Sequence, residues 1–465
     1  MGQSVELPLW LLILIVLFAA VTAATHLLFP SVRWFFRRRA ERIVERLNER
    51  LDRPIQPFKL LRRQDMIQRV IYDPDVVRAV GEYAESEGVR EDVAFEKAHD
   101  YAREIVPSFS ASAYFGIAIR LARRVANMLF DVRLSHVDEK ALQDVDPEAT
   151  LVFVMNHRSN FDYVLVTYLA ASQSALSYAV GEWARVWPLS RLIRAMGAYF
   201  IRRRSRTGLY RRVLSSYVQK ATEAGVAQAV FPEGGLSRDG RVGPPKLGIL
   251  SYIVEAWQED GRDVVFVPVS LNYDRVVEDR VLVAAGRTGQ RRFRGSILEG
   301  MQFTLRYFWR RATGRVDRFG VAAVTFGRPV SLASLAALNP ENLVEDVATR
   351  LHDDIKRAVP VTTTPLLLAA MRRDGGRMTV AEIAAAMEAL RSTLPDGPAI
   401  QAAETRDLAR IERILGILTL RNILESSEGG YTIKAPDLAD FYAASIAPHL
   451  SEQGQTLDGI KSTET

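Results

Sequence analysis

The spacing of apolar and polar positions changes several times along the chain. From Leu7 to Phe29 the run LPLWLLILIVLFAAVTAATHLLF contains no acidic or basic residue, only His26. A membrane-crossing helix needs about 20 apolar residues, and this run meets that length. Glu6 precedes it, while Arg33, Arg37, Arg38, Arg39 and Arg42 follow. The bias of positive charge towards the cytoplasm then predicts a single-pass helix over 7–29 in the cell (inner) membrane, with everything after residue 30 in the cytoplasm. A cleaved signal peptide fits less well, because a basic leader is missing and the apolar run is too long. A buried helix of a soluble protein is the bland alternative. Residues 31–60 mix Trp34, Phe35 and Phe36 with arginines, which suits a headgroup layer and predicts anionic membrane lipids as partners. Residues 64–130 alternate at helical spacing, broken at Pro74 and Pro107, and read as a helical lead-in.

From Thr150 the texture changes. TLVFVM reads as a buried strand, then a polar turn, then a helix from near Asn160. Further short apolar strands are predicted in GAYFIRR (197–203), VAQAVFPEG (226–234), DVVFVPVSLNYD (263–274) and VAAVTFGRPVSL (321–332), separated by helical segments such as 208–225. Strands alternating with helices predict an α/β fold, a sheet flanked by helices with active residues at strand ends. Residues 365–450 are mostly helical in pattern. Their EGGYTI stretch suits a small β turn, as in a winged-helix wing, but an accessory helical bundle is the preferred reading. The expected organisation is a transmembrane helix over 7–29, a lead-in over 31–120, a sheet domain over 121–360 and a helical C-terminal region with a polar tail over 361–465.

Composition alters this picture little. A chain of 465 residues holds one large domain with accessory pieces, or two to three modest ones. With 61 Lys and Arg against 55 Asp and Glu, the net charge favours anionic partners only mildly. The absence of cysteine removes disulfides, thiolate catalysis and cysteine metal sites together. No metal, nucleotide or redox motif is evident, so no cofactor is expected, and no nucleic-acid recognition motif is present.

The stretch MNHRSNFDYVLV, residues 155–166, holds one of only six histidines. On a continuous helix, five residues turn through roughly 500°, so His157 and Asp162 would not meet. If His157 ends a strand and Asp162 lies in the first helical turn, the chain folds back between them. The carboxylate can then accept from the imidazole, fix its tautomer and support its positive charge. Such a pair can deprotonate a hydroxyl that a substrate brings. The pair alone is weak, and Ser159 or Asn160 as a helix cap is its structural alternative. Three further blocks add to it. GAYFIRR ends on Arg202 and Arg203, of which one faces a pocket if the strand alternates. FPEGGLSRDG places Glu233 at a strand end before Gly234 and Gly235, whose backbone can approach an anion. VPVSLNYD supplies a rigid Pro268 at a strand's start.

In order and spacing these four blocks resemble the glycerolipid acyltransferase superfamily, with its H-x4-D, G-x-x-F-I-x-R, F-x-E-G and V-P signatures. NHRSNFDY, GAYFIRR and EGG with the following Ser237 and Arg238 look more like the glycerol-3-phosphate acyltransferase branch than the lysophosphatidate branch. The resemblance covers about residues 120–330, and weakly the VTTTP region beyond. It implies direct transfer of a fatty acyl group from acyl-CoA or acyl-carrier protein to the sn-1 hydroxyl of glycerol 3-phosphate. His157 would be the base and Asp162 its orienting partner. Arg202 matches the family arginine associated with the glycerol phosphate, and Glu233 and Gly234 match glycerol-binding positions. One departure stands out: Leu236 occupies a place where the family usually carries arginine, with Arg238 or Lys246 as substitutes. A lysophospholipid acyltransferase is therefore the neighbouring reading. A membrane-tethered lipid-binding protein without catalysis is a third, which the His157–Asp162 pair argues against.

Overall fold

Apolar runs without a polar break become the centre of a sheet. The computed structural model describes residues 8–18, 42, 44–49, 51, 53–169, 175–181, 189–202, 207–288, 318–394, 397 and 405–451. Its strands are β1 (Asp131–His136), β2 (Thr150–Met155), β3 (Ser177–Val180), β4 (Tyr199–Phe200), β5 (Gln228–Val230), β6 (Val264–Tyr273), β7 (Val321–Phe326) and β8 (Val330–Ser331). They form one sheet in the order β1-β7-β6-β2-β5-β3-β4, with β8 alongside β6. Every residue of β2 and β6 is buried, as expected of central strands covered on both faces. β2 runs parallel to β5 and to β6, with Val154 opposite Pro268 and Met155 opposite Val269. β7 and β8 run antiparallel to β6, so the sheet is mixed.

Alternation along β2 separates two cores. Leu151, Phe153 and Met155 enter one cluster, Val152 and Val154 the other, because successive side chains face opposite ways. The second face is covered by the lead-in helices α1 (Arg63–Ile71), α2 (Pro74–Glu87) and α3 (Glu91–Ile105), through Ile67, Val70, Val76 and Ile105. α2 begins where Asp73 accepts from the Asp75 N–H and Pro74 fixes the first turn, and it stops at left-handed Gly88. The first face is covered by α4 (Ile119–Leu129), α5 (Asp162–Leu169) and the C-terminal helices. Along the chain α6 (Gly208–Glu223), α7 (Leu247–Glu255) and α8 (Asp279–Thr288) lie between strands of the sheet, and α9 (Leu343–Arg357) follows β8.

After β8 come α10 (Thr363–Asp374), α11 (Val380–Ser392), α12 (Leu408–Leu420), the antiparallel hairpin β9 (Leu424–Ser427) and β10 (Gly430–Ile433), and α13 (Pro436–Ala443). Met378 bridges to Tyr431, adding a third strand position to the hairpin. The expected plain helical bundle is thereby corrected: the Gly429–Gly430 turn, with φ of 93° and 151°, lets the chain reverse into the winged arrangement.

Two expectations about the elements need correction. Pro268 does not start a strand but lies inside the ten-residue β6. Its carbonyl accepts from the Gly327 N–H at 2.8 Å, so that edge of β6 faces the loop between β7 and β8, and the missing proline N–H costs no ladder bond. GAYFIRR contributes only the two-residue β4.

Residues 1–55 form a unit separate from 56–465. Within the first, residues 9–18 are helical and expose Leu9, Trp10, Ile13 and Leu17. Ten helical residues rise about 15 Å, half of the about 30 Å of a bilayer's hydrocarbon. Residues 7 and 19–29 of the expected span, and Trp34, Phe35 and Phe36, lie outside the described residues. Among the described residues no helix is long and apolar enough to cross a membrane, so the structure does not show the transmembrane helix expected over 7–29.

Candidate active site

The loops after β2 and β5 leave the sheet towards opposite faces. α5, which follows β2, contributes Leu165 and Val166 to one core, while α7, after β5, contributes Leu250 and Ile253 to the other. Chains diverging in this way open a crevice at the carboxyl ends of the strands. His157 and Glu233 lie just past these two strand ends, joined by the His157 N–H that Glu233 accepts.

Asn156 ends β2 by a side-chain continuation of the ladder. Its amide donates to the Leu271 carbonyl at 2.9 Å and its carbonyl oxygen accepts from the Leu271 N–H at 2.8 Å. The chain then turns, and Asp162 opens α5 as its first residue. Asp162 Oδ2 lies 2.9 Å from His157 Nδ1 and accepts the N–H groups of Arg158 at 2.7 Å and Ser159 at 3.0 Å. Its other oxygen, Oδ1, accepts the Tyr273 hydroxyl at 2.5 Å. A carboxylate surrounded by donors stays an acceptor, so Nδ1 carries the proton and Nε2 is left as the basic nitrogen. Among the described residues Nε2 has no hydrogen-bond partner. The ring sits against Phe231, centroids 4.2 Å apart, and edge-on to Tyr163 at 5.5 Å.

The block after β5 is tied to this loop through the main chain. Glu233 Oε1 accepts the His157 N–H at 2.9 Å, and the Ser237 N–H donates to the His157 carbonyl at 2.9 Å. Burial pushes the Glu233 carboxyl up to about 7, opposed by the backbone N–H groups of His157 and Gly243. Gly234 is left-handed at φ 66°, and a side chain there would stand 3.1 Å from Lys246 Nζ. The turn thus needs glycine, and it brings Lys246 beside the motif.

The remaining expected residues are spread more widely. Arg202 donates Nε to both Glu104 oxygens, at 2.8 and 3.0 Å, and Nη2 at 2.5 Å. Its guanidinium lies over the rings of Tyr101 and Tyr210, at 5.2 and 5.9 Å, and Glu104 holds its pKa above the ordinary value. Arg203 lies outside the described residues. Gly235 continues the turn after Gly234, Leu236 packs on the apolar core, and Arg238 lies against Gly286 of α8. Pro268 lies in the sheet opposite Val154, not at the crevice, because the strand extends on both sides of it.

Five groups that the sequence pattern does not single out complete the site. Tyr273 and Asn156 are described above. Glu278, held above its usual range by burial, accepts from the Ser159 hydroxyl at 2.8 Å and the Asn160 N–H at 3.3 Å. Neither Ser159 nor Asn160 serves as a simple cap: Ser159 Oγ accepts from the Phe161 N–H at 3.1 Å and spends its proton on Glu278. Next to Glu278, Asp279 accepts from Arg421 and from the Tyr442 hydroxyl, each at 2.6 Å. These adjacent carboxylates tie the His157–Asp162 loop to the C-terminal region. Arg158, 1% exposed, adds a second tie, donating to the Gly240 carbonyl and lying 4.9 Å over Phe441. The available signal is the adjacent acidic pair Glu278 and Asp279, but nothing local says what it meets.

The Acyltransferase family model matches residues 136–272, and the model of the glycerol-3-phosphate acyltransferase C-terminal region matches residues 308–438. A glycerol-3-phosphate acyltransferase of Pseudomonas syringae pv. tomato is 28% identical over 298 residues, covering 63% of this chain and 34% of that protein. One from Pseudomonas entomophila is 30% identical over 280 residues, 58% of this chain and 32% of that protein. The matched part thus spans about a third of the length of these relatives. Among solved structures, the 1-acyl-sn-glycerophosphate (LPA) acyltransferase PlsC from Thermotoga maritima aligns with 52% of this chain and 79% of its own, at 19% identity and a TM-score of 0.32. His157, Asp162 and Glu233 are gathered at the adjacent ends of β2 and β5, and the family models matching both the sheet and the C-terminal region support the glycerol-3-phosphate acyltransferase branch of the acyltransferase superfamily.

Proposed function

We propose that the protein transfers a fatty acyl group from a thioester, acyl-CoA or acyl-carrier protein, to the sn-1 hydroxyl of glycerol 3-phosphate. The observation that carries this reading is the His157 Nδ1–Asp162 contact of 2.9 Å, which directs the basic Nε2 away from the aspartate. Nε2 removes the proton of the hydroxyl as its oxygen attacks the thioester carbonyl. The tetrahedral intermediate collapses, the carbon–sulfur bond breaks, and the imidazolium returns the proton to the leaving thiolate. Ester and thiol are the products, and no covalent enzyme intermediate is required. Asp162 stabilises the imidazolium, and Tyr273 and the loop N–H groups hold Asp162. Arg202 and Lys246 supply cations for the phosphate, as guanidinium and ammonium groups do elsewhere.

Leu236 favours a second reading, acylation of a lysophospholipid, because a half-buried leucine packed on the core stands where the family usually offers a phosphate cation. Attachment to a membrane through the uncharged run 7–29 is part of the same proposal, resting on its length and on the arginines behind it. Purified protein is to be offered glycerol 3-phosphate and lysophosphatidate separately, each with both donors, and the lipid products identified. Lysophosphatidate formed from glycerol 3-phosphate, and lost in His157→Ala, is the expected result. Phosphatidate as the only product selects the second reading, and no ester from any pair overturns both.

A further inference from the structure

On the same edge of the sheet, away from His157, lies a cavity of about 470 Å³ that the acyl-transfer geometry does not use. Its floor is the end of the sheet, where Asp274 follows β6 and Gly320 precedes β7. That floor is rigid. Asp274 accepts the Val321 N–H at 2.8 Å and the Thr364 N–H at 2.9 Å. Gly320, at φ 89°, comes so close that a side chain there would stand 2.6 Å from Asp274 Cβ.

The opposite wall is one face of α12. Arg410, Arg413, Ile414, Ile417 and Leu418 all line the cavity, at the spacing that puts residues on one side of a helix. They are ordered along it: both arginines in its first two turns, the three apolar residues behind them. Arg275 and Arg318 line the cavity from the strand ends, with Arg275 lying 4.5 Å over the Phe319 ring. Four arginines face two carboxylates, Asp131 and Asp274, a surplus of two positive charges. Asp131 also holds Arg133, at 3.2 Å. Arg318 and Arg413 are exposed at the rim and pair with no carboxylate among the described residues.

We propose that this cavity binds an organic phosphate, with the anionic head among the arginines and an apolar or aromatic body against Phe319, Ile414 and Ile417. The volume is within the range of small-molecule sites, about 300–1,000 Å³. Guanidinium groups grip phosphate oxygens two at a time, and the apolar wall adds contact for the body. A nucleotide and a phospholipid headgroup share this chemistry. The proposal does not depend on which acceptor or donor the catalytic site takes.

Titration calorimetry on the full chain separates the sources. Three probes are used: inorganic pyrophosphate for the head alone, adenosine diphosphate for a nucleotide, and dihexanoylphosphatidic acid for a lipid. Saturable binding of one organic probe, at least about tenfold tighter than pyrophosphate, is expected. Arg413→Gln and Arg318→Gln, both at exposed positions, should each weaken it about tenfold, the scale of one charge-assisted contact. Ile417→Gln should weaken the organic probe and leave pyrophosphate unchanged, and unaltered thermal melting shows each variant folded. His157→Ala should leave binding intact, and excess glycerol 3-phosphate should not displace the probe. Binding of none of the three probes, binding indifferent to both arginine substitutions, or displacement by glycerol 3-phosphate would each overturn the proposal.

Discussion

The loop holding His157 and the arginine proposed to grip the substrate phosphate are built on opposite plans. His157 has a side chain 3% exposed and Asp162 one that is fully buried, with four donors on the two oxygens of that aspartate. Arg202 is 36% exposed, and its side-chain hydrogen bonds all go to one carboxylate, Glu104. A buried, saturated network has one geometry and is costly to disturb. A partly exposed ion pair contributes little to stability and exchanges partners cheaply. Under the proposed function, the contrast teaches that the proton-transfer centre is finished before substrate arrives, while the anion grip is left adjustable.

The strongest way to break the comparison is Asp162→Asn. The amide keeps the shape but cannot support an imidazolium, so kcat should fall by about 10²–10⁴, the range of a general base. The double variant with His157→Ala should be little worse than either alone, because residues acting as a unit are not additive. Single-turnover assays on folded protein check this, and a near-normal rate would remove the pair from the chemistry.

Glu233 tests what the finished centre costs. Burial raises its carboxyl to about 7, so the protonated form is the one the fold prefers. Its contribution to stability is therefore complete below the unfolded value near 4.5 and is lost as pH rises through about 7. Glu233→Gln cannot ionise, so the decline in Tm between pH 5 and 8 should flatten, by up to about 3 kcal/mol in unfolding free energy. Parallel melting curves of variant and wild type across that range would show that the carboxyl is not desolvated.

The smallest effect is expected at the adjustable site. Glu104→Gln removes the charge that orients Arg202, at about 0.5–1.5 kcal/mol for one ordered side chain. The KM for glycerol 3-phosphate should rise roughly two- to tenfold with kcat unchanged, while Glu104→Asp restores part of it. A fall in KM would mean that Glu104 competes with the phosphate and does not position its arginine.

How much of this was legible depended on distance along the chain. β2, β6 and β7 are predominantly apolar runs and read as buried strands. β1, DVRLSH, is polar and half-buried at the sheet edge, and β3 has only four residues, so neither left a periodic signal. The His157–Asp162 fold-back was readable because five residues confine it. Tyr273, 111 residues from Asp162, was not, since a tyrosine ending an apolar strand gives no hint of its partner. The lead-in was read as helical. That it forms the second cover of the sheet follows only from where β2 turns its Val152 and Val154.

The pairing of β1 with β7 has a consequence for how the chain is made. Asp131 pairs with Val321, a separation of 321 − 131 = 190 residues. At a synthesis rate of about 5–20 residues per second, β1 waits roughly 10–40 s for its partner strand β7 to leave the ribosome. During that time its backbone donors and acceptors are an open edge, the feature that recruits other strands into aggregates. The polar residues that hid β1 from a reading of the sequence, Arg133, Ser135 and His136, are also those that keep a waiting edge in water. Slow, late closure of the sheet would make the newborn chain a client for chaperones well before it is an enzyme.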